Sequence, residues 1–177
     1  TDKISTQGGY LILWASRSLV EGGLGEFSLI DGKSFKLKRA ARSSYAAEVV
    51  AVGDAVDEAQ GIRDQMAEMM YGRTPRGPPM KISGWQVPLT VVTDSKDGHD
   101  RLNSDAGVGS AAQKSIKLEL GSIREILDRP RTTVRWTDGT NMLSDALTKD
   151  MPCDHLREAL GRGTWSIEFR AELVKTA

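Results

Sequence analysis

The chain has 177 residues, of which 39% are hydrophobic, with 18 glycines and 24 basic side chains against 24 acidic ones. That is one domain's worth of sequence, long enough to bury a core, and its zero net charge excludes a protein that holds nucleic acid by bulk positive charge. A single cysteine, Cys153, and two well-separated histidines, His99 and His155, exclude a disulfide framework and a thiolate- or histidine-rich metal site.

Metal chemistry in this chain would therefore rest on oxygen ligands. The longest apolar run, Tyr10 to Ala15, is far short of the roughly 20 residues of a membrane span, and no basic segment followed by an apolar one opens the chain. The expectation is a soluble, intracellular, single domain covering residues 1–177. Its charges are segregated. Residues 33–42 (KSFKLKRAAR) carry five basic side chains and no acid, whereas residues 54–68 carry five acids and one arginine. Taken alone, each stretch reads as the solvated face of a secondary element.

Gly8-Gly9 lead into Tyr10-Leu-Ile-Leu-Trp-Ala15, a short apolar run that reads as a buried strand. Glu21-Gly-Gly-Leu-Gly25 interrupts it, and two further strands follow at Phe27–Ile30 and Phe35–Lys38, with Asp31-Gly32 as a turn between them. Ser43-Ser44 opens a long helix in which Val49, Val52, Val56, Ala59 and Ile62 recur at spacings of three and four, ending near Tyr71-Gly72. Residues 73–88 hold four of the six prolines and read as a loop of the length that is usually functional or disordered.

Leu89–Thr93 is a further strand ending at Asp94, and residues 97–103 add a helical turn or two. A second long helix is marked by Ile116, Leu120, Ile123 and Leu127 and stopped by Pro130. Thr132–Trp136 alternates as a strand, residues 141–149 and 154–160 read as short helices, and Trp165–Phe169 as a last strand or extended tail. Early strands in an antiparallel meander and later ones separated by helices predict an α/β fold: a mixed sheet flanked by helices.

Three acids stand out by position. Glu48 lies near a helix start, Asp94 at the C-terminal end of an apolar strand, and Asp145 on a predicted helix after the next strand. In open α/β sheets the crevice beyond the strands' carboxyl ends is where ligands bind, and clustered carboxylates call for a hard divalent cation. Each also has an ordinary reading: a helix dipole favours Glu48, Asp94 suits a turn, and Asp145 suits a helix surface. His155 and Cys153 read as a surface residue and a small half-buried one. Spacing alone does not bring the three acids together.

The words around them resemble, together and in order, the ribonuclease H domain of copia-type retrotransposon Pol polyproteins. Arg42-Ser-Ser-Tyr-Ala-Ala-Glu48-Val-Val-Ala is similar to the family's RSS-x-x-AE-x-x-A block. Val92-Thr-Asp94-Ser-Lys looks like its second acidic strand end, and Ser144-Asp145-Ala-Leu-Thr-Lys149 its AD-x-LTK signature. Ser5-Thr-Gln-Gly-Gly-Tyr10 and the tail Leu156–Ile167 extend the likeness over nearly the whole chain.

The resemblance implies a ribonuclease H-like fold and hydrolysis of the RNA strand of an RNA–DNA hybrid with Mg²⁺ or Mn²⁺. Glu48, Asp94 and Asp145 would be the catalytic, metal-binding carboxylates, one ion activating water and the other stabilising the leaving 3′-oxygen. Lys36, Lys38, Arg39 and Arg42 could then hold a phosphate backbone. The implied partners are the hybrid and the reverse transcriptase module of the same polyprotein; the implied setting is intracellular, in cytoplasm, virus-like particle or nucleus, with no membrane.

Two departures bear on activity. The family's first catalytic aspartate lies on a strand upstream of Gly9-Tyr10 and has no counterpart in this sequence; Asp2 falls in the loop position and does not replace it. The first strand of the sheet is expected to be missing with it. Where many relatives have Lys-His-Ile, this chain has Lys114-Ser-Ile116. The expectation is a ribonuclease H-type endonuclease impaired in hydrolysis. The alternative is a non-catalytic remnant of the same fold acting as a binding or scaffold domain. An integrase-type nuclease fits less well, because its acids run aspartate, aspartate, glutamate.

Overall fold

A computed structural model of the chain describes residues 7–37, 44–71, 86–103 and 114–167. Strand β1 (Gln7–Ala15) runs into a short helix α1 (Arg17–Val20) and returns as β2 (Leu24–Lys36). Helix α2 (Ser44–Tyr71) follows, then β3 (Leu89–Thr93), α3 (Lys96–Asn103), α4 (Lys114–Leu127) and β4 (Thr132–Trp136). Two 3-10 turns, Gly139–Asn141 and Leu143–Leu147, lead to α5 (Asp154–Arg162) and β5 (Thr164–Ser166).

The fold is α/β, but the strands form two sheets. β1, β2 and β5 make an antiparallel sheet in the order β1-β2-β5, and β3 and β4 make a separate parallel pair. The parallel pairing follows from the crossover through α3 and α4, which returns the chain to the same end of the sheet. A single mixed sheet is not what the described residues build.

The predicted meander is also corrected. Phe27–Ile30 and Phe35–Lys38 are not two strands around an Asp31-Gly32 turn; β2 runs unbroken from Leu24 through Phe27 and Phe35 to Lys36, with Asp31 opposite Ile12 and Gly32 opposite Leu11, and Lys38 lies outside the described residues. A register shift between Ile12 and Leu13 leaves Ile30 as the extra residue of a bulge. The bulge absorbs the irregularity that the Asp-Gly pair signals, so the chain bends there instead of reversing.

Two apolar clusters hold the layers. Val49 and Val56 of α2 meet Leu102, Ile116, Leu120, Ile123 and Ile126, with Leu89, Val91 and Val134 of the parallel pair packed against them. Leu19, Phe27, Leu143, Ala159, Trp165 and Ile167 form the second cluster, joined by Leu11 and Leu13 of β1 and by Val92 of β3. Each fully buried aliphatic side chain in them, Leu19 and Ile123 above all, contributes roughly 1.5–3 kcal/mol by leaving water.

Both sheets thus share the same two flanking layers. Helix α2 covers β3 on one side and approaches β1 on the other, where a Cβ on Gly8 would stand 3.4 Å from Ala51. At the end of α5, Gly163 takes φ 64°, its N–H donating to the Ala159 carbonyl (2.9 Å) and its own carbonyl accepting from Phe27 N–H (2.9 Å). That left-handed cap turns the chain straight into β5.

Arg63 departs from its expected place. In an acidic stretch that reads as a solvated face, it is 3% exposed. Its Nε donates to the Val87 carbonyl (2.6 Å), Nη2 to the Pro130 carbonyl (2.8 Å) and Nη1 to Thr132 Oγ1 (3.1 Å). The guanidinium therefore ties α2 to the starts of β3 and β4. Burial lowers its pKa from the usual arginine value. No helix among the described residues is long and apolar enough to cross a membrane.

Candidate functional site

Asp94 follows β3, and the ends of both parallel strands fix it. Thr137 N–H donates to the Thr93 carbonyl (3.0 Å), and Trp136 Nε1 donates to the Asp94 carbonyl (2.9 Å). Ser95 then caps α3, its Oγ accepting from Gly98 N–H (3.2 Å), so the chain leaves the strand in one defined direction. Gly139 lies over the carboxylate: a Cβ there would be 3.6 Å from Asp94 Oδ2. Replacing Trp136 with Phe removes the indole donor while keeping the ring. The expected cost is about 1 kcal/mol, read as a fall of about 2–4 °C in Tm.

Asp145 lies in the second 3-10 turn and is 9% exposed. Residues 141–149 are not one short α-helix, as the sequence suggests. Leu143 is drawn into the second apolar cluster, while the Leu147 carbonyl accepts from Ser34 Oγ (2.7 Å) and Gln7 Nε2 (3.2 Å). The segment is pinned at both ends to different partners, and a tighter turn spans the distance. Gly9 permits this docking, since a Cβ there would stand 2.9 Å from Thr148 Cγ2. Gly9 therefore lets the turn that carries Asp145 dock against β1.

Glu48 is exposed in the second turn of α2. It borders a small hollow with Thr93, Ser95, Gly98, Leu102 and Leu120. The helix dipole acts mainly on the first turn, so it gives little account of this acid. Nearby, the Arg101 guanidinium lies 5.3 Å from the centre of the Tyr45 ring. Burial raises the Tyr45 hydroxyl above its ordinary pKa, and its oxygen has no hydrogen-bond partner among the described residues.

Asp94 feels both of the other acids. Asp94 is held above the usual carboxylate range, first by burial and then by the negative charge of Asp145, with a further contribution from Glu48; Lys149 opposes the shift. Lys149 is raised, chiefly by its hydrogen bond to Asp145, and feels Asp94 and Glu48 as well. Its Nζ donates to Asp145 Oδ2 at 2.5 Å. Asp94 thus feels both other acids and Lys149, while the direct contact is that of Lys149 with Asp145.

Lys149 is the site residue that sequence reasoning left unassigned. Its signal was the spacing of four from Asp145, which on a regular helix is an ordinary surface pair. Of the proposed phosphate-binding strip, Lys36 is exposed at the end of β2. Lys38, Arg39 and Arg42 lie outside the described residues, as does most of the Pro-rich segment 73–88. His155 is exposed and Cys153 half-buried.

Carboxylate oxygens suit Mg²⁺ or Mn²⁺ in chemistry. In placement they do not: among the described residues no three acidic, histidine or cysteine side chains are close enough together to hold a metal ion. The position beside Asp145 is taken by Lys149. Compared with known proteins, the chain matches no family model, no curated protein and no solved structure.

Proposed function

We propose that this chain is a ribonuclease H-like domain of a copia-type retrotransposon Pol polyprotein, built for hydrolysis of the RNA strand of RNA–DNA hybrids and impaired in that reaction. The observation that carries the reading is the electrostatic convergence of Glu48, Asp94 and Asp145, residues far apart in sequence, at the end of β3. The reaction would add water at phosphorus and break the bond to the 3′-oxygen, leaving a 3′-hydroxyl and a 5′-phosphate.

The arrangement of the sheets supports the same reading. β1 and β3 belong to different sheets yet share the layers above and below. One more strand between them, carrying a further aspartate, would join the two sheets and add a fourth carboxylate beside Asp94. Its partners would be the hybrid and an adjoining reverse transcriptase module, in cytoplasm, virus-like particle or nucleus.

A second reading, the same fold as a non-catalytic binding or scaffold domain, is favoured by the ion pair that engages Asp145. The two separate on a labelled hybrid incubated with Mg²⁺ or Mn²⁺. We expect at most slow cleavage by this chain, abolished by Asp94→Asn, and faster cleavage when an upstream strand is supplied. Hybrid binding without cleavage in both forms would favour the scaffold reading; neither binding nor cleavage would sink both.

A further inference from the structure

We propose that Gln7 and Ser34 are positioning residues for Asp145: they form an exposed polar clamp that holds the turn carrying the acid and releases it while the sheet stays folded. The clamp rests on the carboxylate-site reading above only for what Asp145 does; its geometry stands without it. Gln7 and Gly9 lie on one face of β1, and Ser34 is opposite Gly9 in β2. The missing Cβ of Gly9 leaves a seat between the two side chains. Leu147 and Thr148 fill it, since a Cβ there would stand 3.0 Å from Leu147 Cβ and 2.9 Å from Thr148 Cγ2.

The donors over that seat converge on one acceptor. Ser34 Oγ donates its only hydrogen to the Leu147 carbonyl (2.7 Å). Gln7 Nε2 donates one hydrogen to the same carbonyl (3.2 Å) and the other to Ser34 Oγ (2.5 Å). Both side chains belong to exposed residues, so burial does not hold them there, and hydrogen bonds in the open add little to the stability of a whole domain. Their leverage is local. Asp145 lies between two anchors: Leu143, buried in the second apolar cluster, and Leu147, held by the clamp. Opening the clamp frees one end of the Leu143–Leu147 turn and leaves the apolar end seated. Asp145 then shifts while β1 and β2 keep their pairing.

The test is amide hydrogen exchange in the full chain, without metal or nucleic acid. Thr148 N–H and Lys149 N–H, which donate to the Asp145 carbonyl (3.0 and 2.9 Å), report opening of the turn, and the amides of the β1–β2 ladder report the sheet. Ser34→Ala is expected to speed exchange at Thr148 and Lys149 about tenfold, the change for one lost hydrogen bond of ordinary strength, with the ladder amides unchanged. Gln7→Ala is expected to give a smaller rise at the same two amides, because Ser34 still holds the carbonyl. Ser34→Thr keeps the hydroxyl and is expected to restore the parent's rates. The Asp145 carboxyl carbon resonance is expected to move in Ser34→Ala and to return in Ser34→Thr. Cooperative melting confirms that each variant is folded; if Ser34→Ala is not, Gln7→Ala carries the same comparison.

Parent-like exchange at Thr148 and Lys149 in the variants that lose a donor overturns the clamp. So does a rise shared equally by the ladder amides, which would make Ser34 a brace of the sheet, and so does a Ser34→Thr protein that behaves like Ser34→Ala. All three results leave the carboxylate-site reading standing, because no hybrid and no cleavage enters the measurement. A chain that neither binds nor cuts the hybrid sinks that reading and leaves the clamp in place.

Discussion

Arg63→Met is expected to lower the stability of this domain by about 3 kcal/mol, the largest effect of any polar substitution argued for this chain. The replacement keeps most of the side chain's volume but leaves the Val87 and Pro130 carbonyls and Thr132 Oγ1 without the donor that joins them. A buried acceptor that loses its donor costs about 1–3 kcal/mol. In a domain of this size the loss should lower Tm by about 6–12 °C.

Arg63→Lys should recover only a part, since one ammonium cannot span three acceptors on two strand starts and a preceding loop. Urea unfolding of the three proteins checks this. A loss below about 0.5 kcal/mol, as at an ordinary exposed position, would show that the guanidinium is not the tie between α2 and the parallel strands. Because Asp94 lies at the opposite end of β3 from Val87, a slackened strand start should also shift the Trp136 indole that contacts Asp94, visible in its fluorescence.

The same residue shows where the sequence could be read and where it could not. β3 and β4 were legible to the residue, because runs of β-branched side chains are bounded by Pro88 and Asp94 in one case and by Pro130 and Thr137-Asp138 in the other. Helix α2 was legible at both ends for similar reasons. Arg63 was not, since an arginine amid acids carries the same local pattern whether it faces water or is drawn under a neighbouring strand. Its three acceptors come from segments more than twenty residues away.

β2 was misread because Asp31-Gly32 is a turn signal in isolation, and only pairing with β1 shows that a bulge absorbs it. The candidate site shared this limit. Glu48, Asp94 and Asp145 could be singled out one at a time, but nothing in their spacing brings positions 48, 94 and 145 together. That Asp94 feels the other two depends on the packing of α2 against β3 and the docking of the Asp145 turn on the first sheet. Lys149 was left unassigned, since a spacing of four from Asp145 is an ordinary surface pair on a helix; that its charge also feels Asp94 and Glu48 depends on tertiary structure.

A centre built this way should respond with opposite signs to the loss of its cation and the loss of an anion. In metal-free buffer at neutral pH, Lys149→Met is expected to lower stability by about 1–2 kcal/mol. It leaves the Asp145 carboxylate, only 12% exposed, without its ammonium and beside another acid. Asp94→Asn is expected to raise stability, by no more than about 1 kcal/mol once solvent screening is allowed for. It removes a charge that burial and Asp145 already disfavour.

The pH dependence fixes the sign. Burial and Asp145 hold the folded Asp94 carboxyl above the ordinary aspartate value of 3.8, so between that value and its folded pKa the native state binds the extra proton. Stability therefore falls as pH rises through that window. The Asp94→Asn advantage should accordingly be full above the folded pKa, shrink as pH falls through that window, and be absent below pH 3.8. Paired urea titrations at neutral and acid pH measure it. If both variants shift stability the same way, the acids and the lysine do not form one electrostatic unit, because the unit requires that removing the positive charge worsen the repulsion that removing Asp94 relieves.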